Sequence, residues 1–205
     1  MDSTHEQNRG KNTKKKILKV ATALFSQLGY RGASVRKIAK EVGIRESALY
    51  NHFTNKEAIF LEVAKEIFSS PFSLSSEEIQ ELALRGKPFL QKFTMQYKML
   101  TFDKSNENMF RLLMIELMQN RELREQFMSE FHNKNIAVLS EGFFIMMQNG
   151  LIRSGDPMMC AYEFISTLFY IRLQVTLLRF DSQSTNSLST QFEKHVDFFW
   201  ESIKI

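Results

Sequence analysis

The chain has 205 residues, with a hydrophobic fraction of 43% and a charged fraction of 24%, a balance that excludes collagen-like, low-complexity and disordered classes for its body. With only 8 Gly and 3 Pro, turn punctuation is too sparse for a sandwich or barrel of many short strands, which leaves helices. The net charge of +4 is unevenly spread: residues 1–65 hold 13 Lys and Arg against 6 Asp and Glu, and the remainder is slightly acidic, so the first part suits a polyanion and the second another task. Residues 1–12 lack periodic apolar positions and read as a mobile polar arm. From Thr13, the positions Ile17, Val20, Ala21, Leu24, Phe25 and Leu28 recur at helical spacing as far as Gly29, the profile of an amphipathic helix closed by a glycine. Ser34 offers an N-cap to a second helix through Val35, Ile38, Ala39 and Val42, ending at Gly43. A third short helix buries Leu49 and Phe53 and turns Glu46, Ser47, Tyr50 and Asn51 outward. A fourth starts near Asn55 and breaks at Ser69-Ser70-Pro71.

Two short helices joined by a glycine turn and preceded by a longer one are the arrangement of a helix-turn-helix, whose second helix enters the major groove. The stretch from Ala33 to Ile44, followed by Ser47-Ala48-Leu49-Tyr50-Asn51-His52-Phe53-Thr54-Asn55-Lys56-Glu57, resembles the DNA-binding domain of TetR-type transcriptional regulators over about 50 residues. That family usually has Ser or Thr capping the recognition helix, where this chain has Arg45. Arg45 is therefore either a solvated side chain or an arginine aimed at a guanine edge. Lys14, Lys15 and Lys16 fall in the first turn of the predicted first helix, where the helix dipole disfavours cations and a phosphate would explain them; the family makes backbone contacts from this helix. Arg36 and Lys37, beside Ser34 at the start of the second helix, are further DNA contacts. The resemblance adds Tyr50, His52 and Lys56 as phosphate anchors and leaves Arg45, Glu46, Ser47 and Asn51 for base edges.

Beyond Pro71, helices are expected from about Ser76 to Arg85, from Pro88 through Phe93 to Leu100, from Asn108 to Asn120, and from Leu123 to Asn149. Asp156-Pro157 opens another that runs to about Arg179, and Leu188 to Ile203 closes the chain. Of 19 Phe, 16 lie after residue 65, and of 11 Met, 10 lie after residue 90, flexible and aromatic volume that suits a cavity. The resemblance implies an effector cavity there and an apolar small-molecule ligand, with Phe93, Tyr97, Phe110, Arg111, Met114, Phe144, Tyr162 and Tyr170 as candidate lining. It also implies a homodimer through the last two long helices, with Phe164, Leu168, Ile171, Val175, Phe198 and Phe199 as the interface.

Cysteine usage is Cys160 alone, which excludes a disulfide framework and a Cys-based metal cage. The four histidines have no ligand spacing, no glycine-rich phosphate loop is present, and neither an enzyme nor a metal or other cofactor is expected. Met1–Gln7 has neither a basic nor an apolar export signal, and no apolar run approaches a bilayer span, so the expected setting is the cytoplasm, off the membrane. The reading is an all-α chain: an arm at 1–12, a helix-turn-helix domain at 13–54, a connecting helix at 55–70, and an effector-binding and dimerisation domain at 71–205. It is expected to repress from a palindromic double-stranded DNA operator and to leave it when the effector binds. The alternative is a DNA-tethered protein whose carboxy-terminal domain docks a protein partner; a solvent-filled internal cavity speaks for the first, a solid core with an exposed apolar groove for the second.

Overall fold

The computed structural model describes the backbone of residues 2–69 and 74–205, and the side chains of these residues except 2–9, 66–69, 105 and 131. The helices among them are, in chain order, α1 (Asp2–Gly32), α2 (Val35–Val42), α3 (Glu46–Tyr50), α4 (Lys56–Ser69), α5 (Ser76–Leu84), α6 (Lys87–Phe102), α7 (Lys104–Leu117), α8 (Arg121–Gln126), a π-helical segment (Phe127–Asn133), α9 (Lys134–Gln148), α10 (Pro157–Phe180), α11 (Asn186–Ser189) and α12 (Gln191–Ile203). The described residues contain no strand, only an isolated antiparallel bridge between Ile152 and Lys204. The expected helix from Leu123 to Asn149 is therefore interrupted by a π-helical stretch. The expected break at Ser70-Pro71 lies outside the described residues.

The chain divides into two compact units, residues up to 68 with 104–126, and 69–103 with 127–205. Residues 104–126 thus join the amino-terminal helices, whereas the sequence reading places them in one carboxy-terminal domain at 71–205. The cause is packing: α1 lies against α7, and Met109, Phe110 and Leu113 of α7 are fully buried.

In the first unit, Ile17, Ala21 and Phe25 of α1, Ile38, Ala39 and Val42 of α2, Leu49 of α3 and Ile59, Phe60 and Val63 of α4 form the core. Phe25 meets Phe60 edge-on, ring centroids 5.1 Å apart. The caps are the expected ones: the Ser34 hydroxyl accepts from the Lys37 amide, and Gly43 closes α2 in the left-handed region. The helical path of α1 breaks at Gly29, φ 71° and ψ 173°, as its spacing suggests. Its beginning differs, since residues 2–12 continue the helix instead of forming an irregular arm.

In the second unit, α9 packs on α10 and α5, and α6 on α12 and α10. A capping box starts α5, with the Ser75 hydroxyl accepting from the Glu78 amide and the Glu78 carboxylate from the Ser75 amide. Asp156 caps α10 by accepting from the Met158 and Met159 amides, ahead of Pro157 at the first helical position. Gly86, at φ 73°, forms the elbow between α5 and α6, and a Cβ there would stand 2.6 Å from the Trp200 ring, so only glycine lets α12 close onto the elbow. Phe93, Phe143, Phe164 and Phe199 form an aromatic interior, with Phe164 and Phe199 centroids 5.0 Å apart.

Candidate functional site

The amino-terminal unit presents a polar face on a rigid support. Helix α3 is five residues long, too short to hold itself by backbone hydrogen bonding. It is anchored by Leu49, fully buried, and by Phe53 just beyond it. That anchoring turns Arg45, Glu46, Ser47, Tyr50 and Asn51 outward together, all exposed. Arg45 occupies the N-cap position of α3 in extended geometry and makes no side-chain cap bond, so its guanidinium is not committed to the helix end. Arg36 is exposed on α2, its Nε 3.9 Å from the Glu46 carboxylate, too loose to fix either group. His52 is half-buried behind the face.

The lysines divide by environment. Because α1 begins at Asp2, Lys14, Lys15 and Lys16 lie well inside it, and the dipole argument for a counter-anion at this run does not hold. Lys14 pairs with Glu62 at 2.7 Å and sits 5.4 Å from the centre of the Phe53 ring. Lys16 donates to the Val42 carbonyl at the end of α2, 2.8 Å, where a cation suits the negative pole. Both therefore tie α1 to α2 and α4; Lys15 and Lys16 are exposed and Lys14 is half-buried. Lys37 donates to the Gly32 carbonyl at 3.0 Å.

Lys56 is the most strongly engaged. Its ammonium donates to the Tyr30 and Ala33 carbonyls at 2.9 and 3.3 Å and lies 4.2 Å from the Tyr30 ring centre. It thus clasps the α1–α2 connection, whose carbonyls would otherwise be left beyond the helix end. Burial, followed by the nearby Glu57 and Glu116 carboxylates, raises the Tyr30 pKa. None of these three tethers is legible as a spacing, because each joins residues 23 to 48 positions apart.

The eight candidate lining residues fall in both units. Phe93 and Tyr97 are buried inside the second unit and Phe110 inside the first, with Arg111 and Met114 half-buried on the same helix. Phe144, Tyr162 and Tyr170 are exposed. Arg172 lies against Tyr97, its Cζ 5.8 Å from the ring centre. Burial pushes the Tyr97 phenol up to about 12 and lowers the Arg172 pKa, the mutual contact opposing both shifts.

The expected dimer stripe also needs correction. Phe164, Leu168, Ile171 and Val175 are buried within a single chain, and Phe199 packs on Phe143 and Phe164; of the six, Phe198 alone is largely exposed, at 77%. Helix α10 is apolar on more than one side, so periodicity identified its inward face and assigned it outward. Outward apolar positions include Met158, Met159, Tyr162, Tyr170, Leu177 and Phe180 on α10 and Phe198 on α12.

A cleft of about 510 Å³ opens between α6 and α12. Met95, Met99 and Phe102 line it from α6 and Val196 from α12, with Thr94 at its base and Lys98, Glu193 and Asp197 at its edge. Nothing in the spacing of these residues signals a cleft, since its walls come from helices distant in the chain. Among the described residues, no group of three His, Cys, Asp or Glu could hold a metal ion, and no helix is long and apolar enough to cross a membrane. Cys160 is half-buried, and burial, then Asp156, raises its thiol pKa, which disfavours the reactive thiolate.

Comparison with known proteins agrees with both halves of this description. Residues 17–63 match the bacterial regulatory proteins of the TetR family, and residues 88–201 match the carboxy-terminal domain of AefR-like transcriptional repressors. The chain is 28% identical over 153 residues to the fatty acid metabolism regulator protein of Bacillus subtilis, covering 73% of this chain and 75% of that one. It is 33% identical over 75 residues to the transcriptional repressor AcnR of Corynebacterium glutamicum, 37% of this chain and 40% of that one. Among solved structures, a TetR-family regulator from Mesorhizobium loti shares the fold with a TM-score of 0.76 at 21% identity, covering 96% of this chain and 99% of that one. The complex of SmeT, a repressor from Stenotrophomonas maltophilia, with triclosan has a TM-score of 0.73 at 16% identity, over 95% of this chain and 92% of that one.

Proposed function

The chain belongs to the TetR family, whose members are DNA-binding transcriptional regulators and not enzymes, and on that premise we propose that it is a repressor released from its operator by a lipophilic small molecule. The observation that carries the reading is the outward set Arg45, Glu46, Ser47, Tyr50 and Asn51 on a helix pinned from behind by Leu49. Donors and acceptors on a rigid helix suit base edges, while Lys15, Arg36 and Lys37 on the neighbouring helices suit the phosphates.

Two copies of that face read a near-palindromic site when their recognition helices stand about one DNA turn, roughly 34 Å, apart. The outward apolar positions Tyr170, Leu177 and Phe198 supply the contact between copies, since exposed apolar surface of this kind calls for a partner. An effector acts by population shift: it must bind the dimer with misplaced recognition helices more tightly than the dimer that fits DNA. Binding of triclosan by the fold neighbour SmeT supports an effector role for the second unit. One observation favours the protein-docking alternative instead, namely that the α6–α12 cleft lies at the surface with Met95 and Met99 exposed.

The test is operator binding as a function of salt, using an operator selected from random sequence. Affinity is expected to fall with a log–log slope on the order of −4 to −8 as phosphate contacts from both copies release counterions. A flat dependence, or a chain that sediments as a monomer at micromolar concentration, overturns the two-half-site reading. Titration with lipophilic compounds then separates the alternatives, because a repressor of this kind binds its effector more tightly free than on DNA.

A further inference from the structure

We infer that the α6–α12 cleft binds an uncharged, lipophilic small molecule through one oxygen that hydrogen-bonds to Thr94. The inference deepens the effector reading above and rests on it for its regulatory meaning, although binding itself can be tested without DNA. The cleft's volume, about 510 Å³, falls inside the range of pockets that hold drug-sized ligands, roughly 300–1,000 Å³. Its walls are apolar and adaptable. Met95 and Met99, one helical turn apart, are 63% and 67% exposed, unbranched thioethers that can fold over a bound molecule.

Thr94 supplies the polar handle. The residue is 3% exposed and lines the cleft, yet its Oγ1 has no hydrogen-bond partner. Buried hydroxyls are nearly always partnered, and helical threonines in this chain show how: Thr101 donates to the Tyr97 carbonyl at 2.8 Å and Thr22 to the Leu18 carbonyl at 2.8 Å. Thr94 breaks that habit in a residue that lines the cleft, its Oγ1 buried just behind the surface. A carbonyl, hydroxyl or ether oxygen on a bound molecule would complete it.

The edge of the cleft sets the charge of the ligand. Lys98 is held by Glu193 at 2.6 Å, and Asp197, also at the edge, is paired with Lys87 at 2.9 Å. An anionic head group would have to break the Lys98–Glu193 pair and then face two carboxylates, whereas an uncharged molecule leaves both pairs intact. The site is separate from the proposed contact between copies. Gln191 and Phe198 lie on the flank of α12 toward α10, while Glu193 and Asp197 lie on the flank toward α6. A route to DNA is present in the chain itself: Phe102 lines the cleft, and only Asp103 separates it from α7, the helix against which α1 packs.

The experiment titrates the whole protein with Nile red, an uncharged lipophile bearing a carbonyl, and with the anionic dye 8-anilinonaphthalene-1-sulfonate. Nile red is expected to saturate at one molecule per chain and the anionic dye to bind at least tenfold more weakly. Thr94→Val, which keeps the shape and removes the hydroxyl, is expected to weaken Nile red about tenfold, the loss of one hydrogen bond. Met99→Glu, at an exposed position the fold tolerates, is expected to abolish binding; circular dichroism confirms that both variants are folded. Absence of Nile red binding, equal binding by the two dyes, or binding unchanged in both variants overturns the site. Repeating the titration on operator-bound protein keeps the two readings apart. Site-specific binding that leaves operator affinity unchanged keeps the cleft and overturns the effector reading; release from operator that persists in Met99→Glu keeps the effector reading and overturns the cleft.

Discussion

Helices α2 and α10 place their apolar residues by different rules, and the contrast explains much about this molecule. Helix α2 buries Ile38, Ala39 and Val42 on one side and exposes Arg36, Lys37 and Lys40 on the other. Helix α10 buries Phe164, Leu168 and Val175 yet leaves Tyr170, Leu177 and Phe180 exposed. A helix with one apolar side has one way to pack, and its outer surface is left for a polar partner such as DNA. A helix apolar on more than one side has several, and which side faces inward is settled by its neighbours.

The sharpest way to break that contrast is to charge each side of the α10–α12 pair. Phe164→Asp places a carboxylate among Phe93, Phe143, Phe199 and His195, and it is expected to unfold the second unit, costing more than about 3–5 kcal/mol, the range for removing a buried Phe alone. Phe198→Asp is expected to leave the melting temperature nearly unchanged and to yield folded monomers. Sedimentation and circular dichroism read both, and a folded monomer from Phe164→Asp would restore the outward assignment of that stripe.

The next effect concerns Lys56. If it is the strut described above, Lys56→Met leaves the Tyr30 and Ala33 carbonyls without their partner and lowers stability by about 2 kcal/mol, with the salt slope of DNA binding unchanged. A phosphate anchor would behave oppositely, with stability intact and a slope shallower by about 1 for each lost contact. Urea unfolding together with a salt titration distinguishes them.

Arg45 sharpens the comparison on the DNA side. Because its side chain makes no cap bond, Arg45→Ser is expected to stabilise α3 by about 1 kcal/mol through a new N-cap, seen as a raised melting temperature. Arg45→Ala is expected to relax preference at one base pair per half-site by about 1–3 kcal/mol. Loss of affinity with preference unaltered would return Arg45 to a solvated role.

The smallest effect is a pH dependence in the second unit. His195 is mostly buried, and burial lowers its pKa, with its ring hydrogen bond to the Phe164 carbonyl at 2.9 Å opposing the shift. The unfolded chain therefore binds this proton more readily, so the contribution of neutral His195 is full above its ordinary value of 6.5 and falls away as pH drops through the lower folded value. Melting temperature should decline on acidification below about 6.5 and decline less in His195→Gln; equal declines would remove His195 as the cause.

Those expectations also trace how far the residues spoke for themselves. Ser34, Gly43, Leu49 and the Asp156-Pro157 start were legible because a cap or an amphipathic stripe is written within one or two helical turns. The Ser75–Glu78 capping box is equally local, a serine three positions ahead of a glutamate, but the sequence reading did not name it and began that helix only at about Ser76. Lys14, Lys16 and Lys56 read as cations available to DNA, because the partners that occupy them, Glu62, the Val42 carbonyl and the Tyr30 and Ala33 carbonyls, are distant in the chain.

The sequence by itself therefore determined the helical class, the caps of α2 and α10, and the outward face of α3, all of them consequences of backbone hydrogen bonding and 3.6-residue periodicity acting over short spans. Only the tertiary structure decided that residues 104–126 belong with the amino-terminal helices, that Phe164 points inward while Phe198 points out, and that a cleft opens beside Thr94. These depend on which of several apolar surfaces meet. Hydrophobic attraction is non-directional, so the choice falls to the close packing of whole side chains brought together from distant parts of the chain.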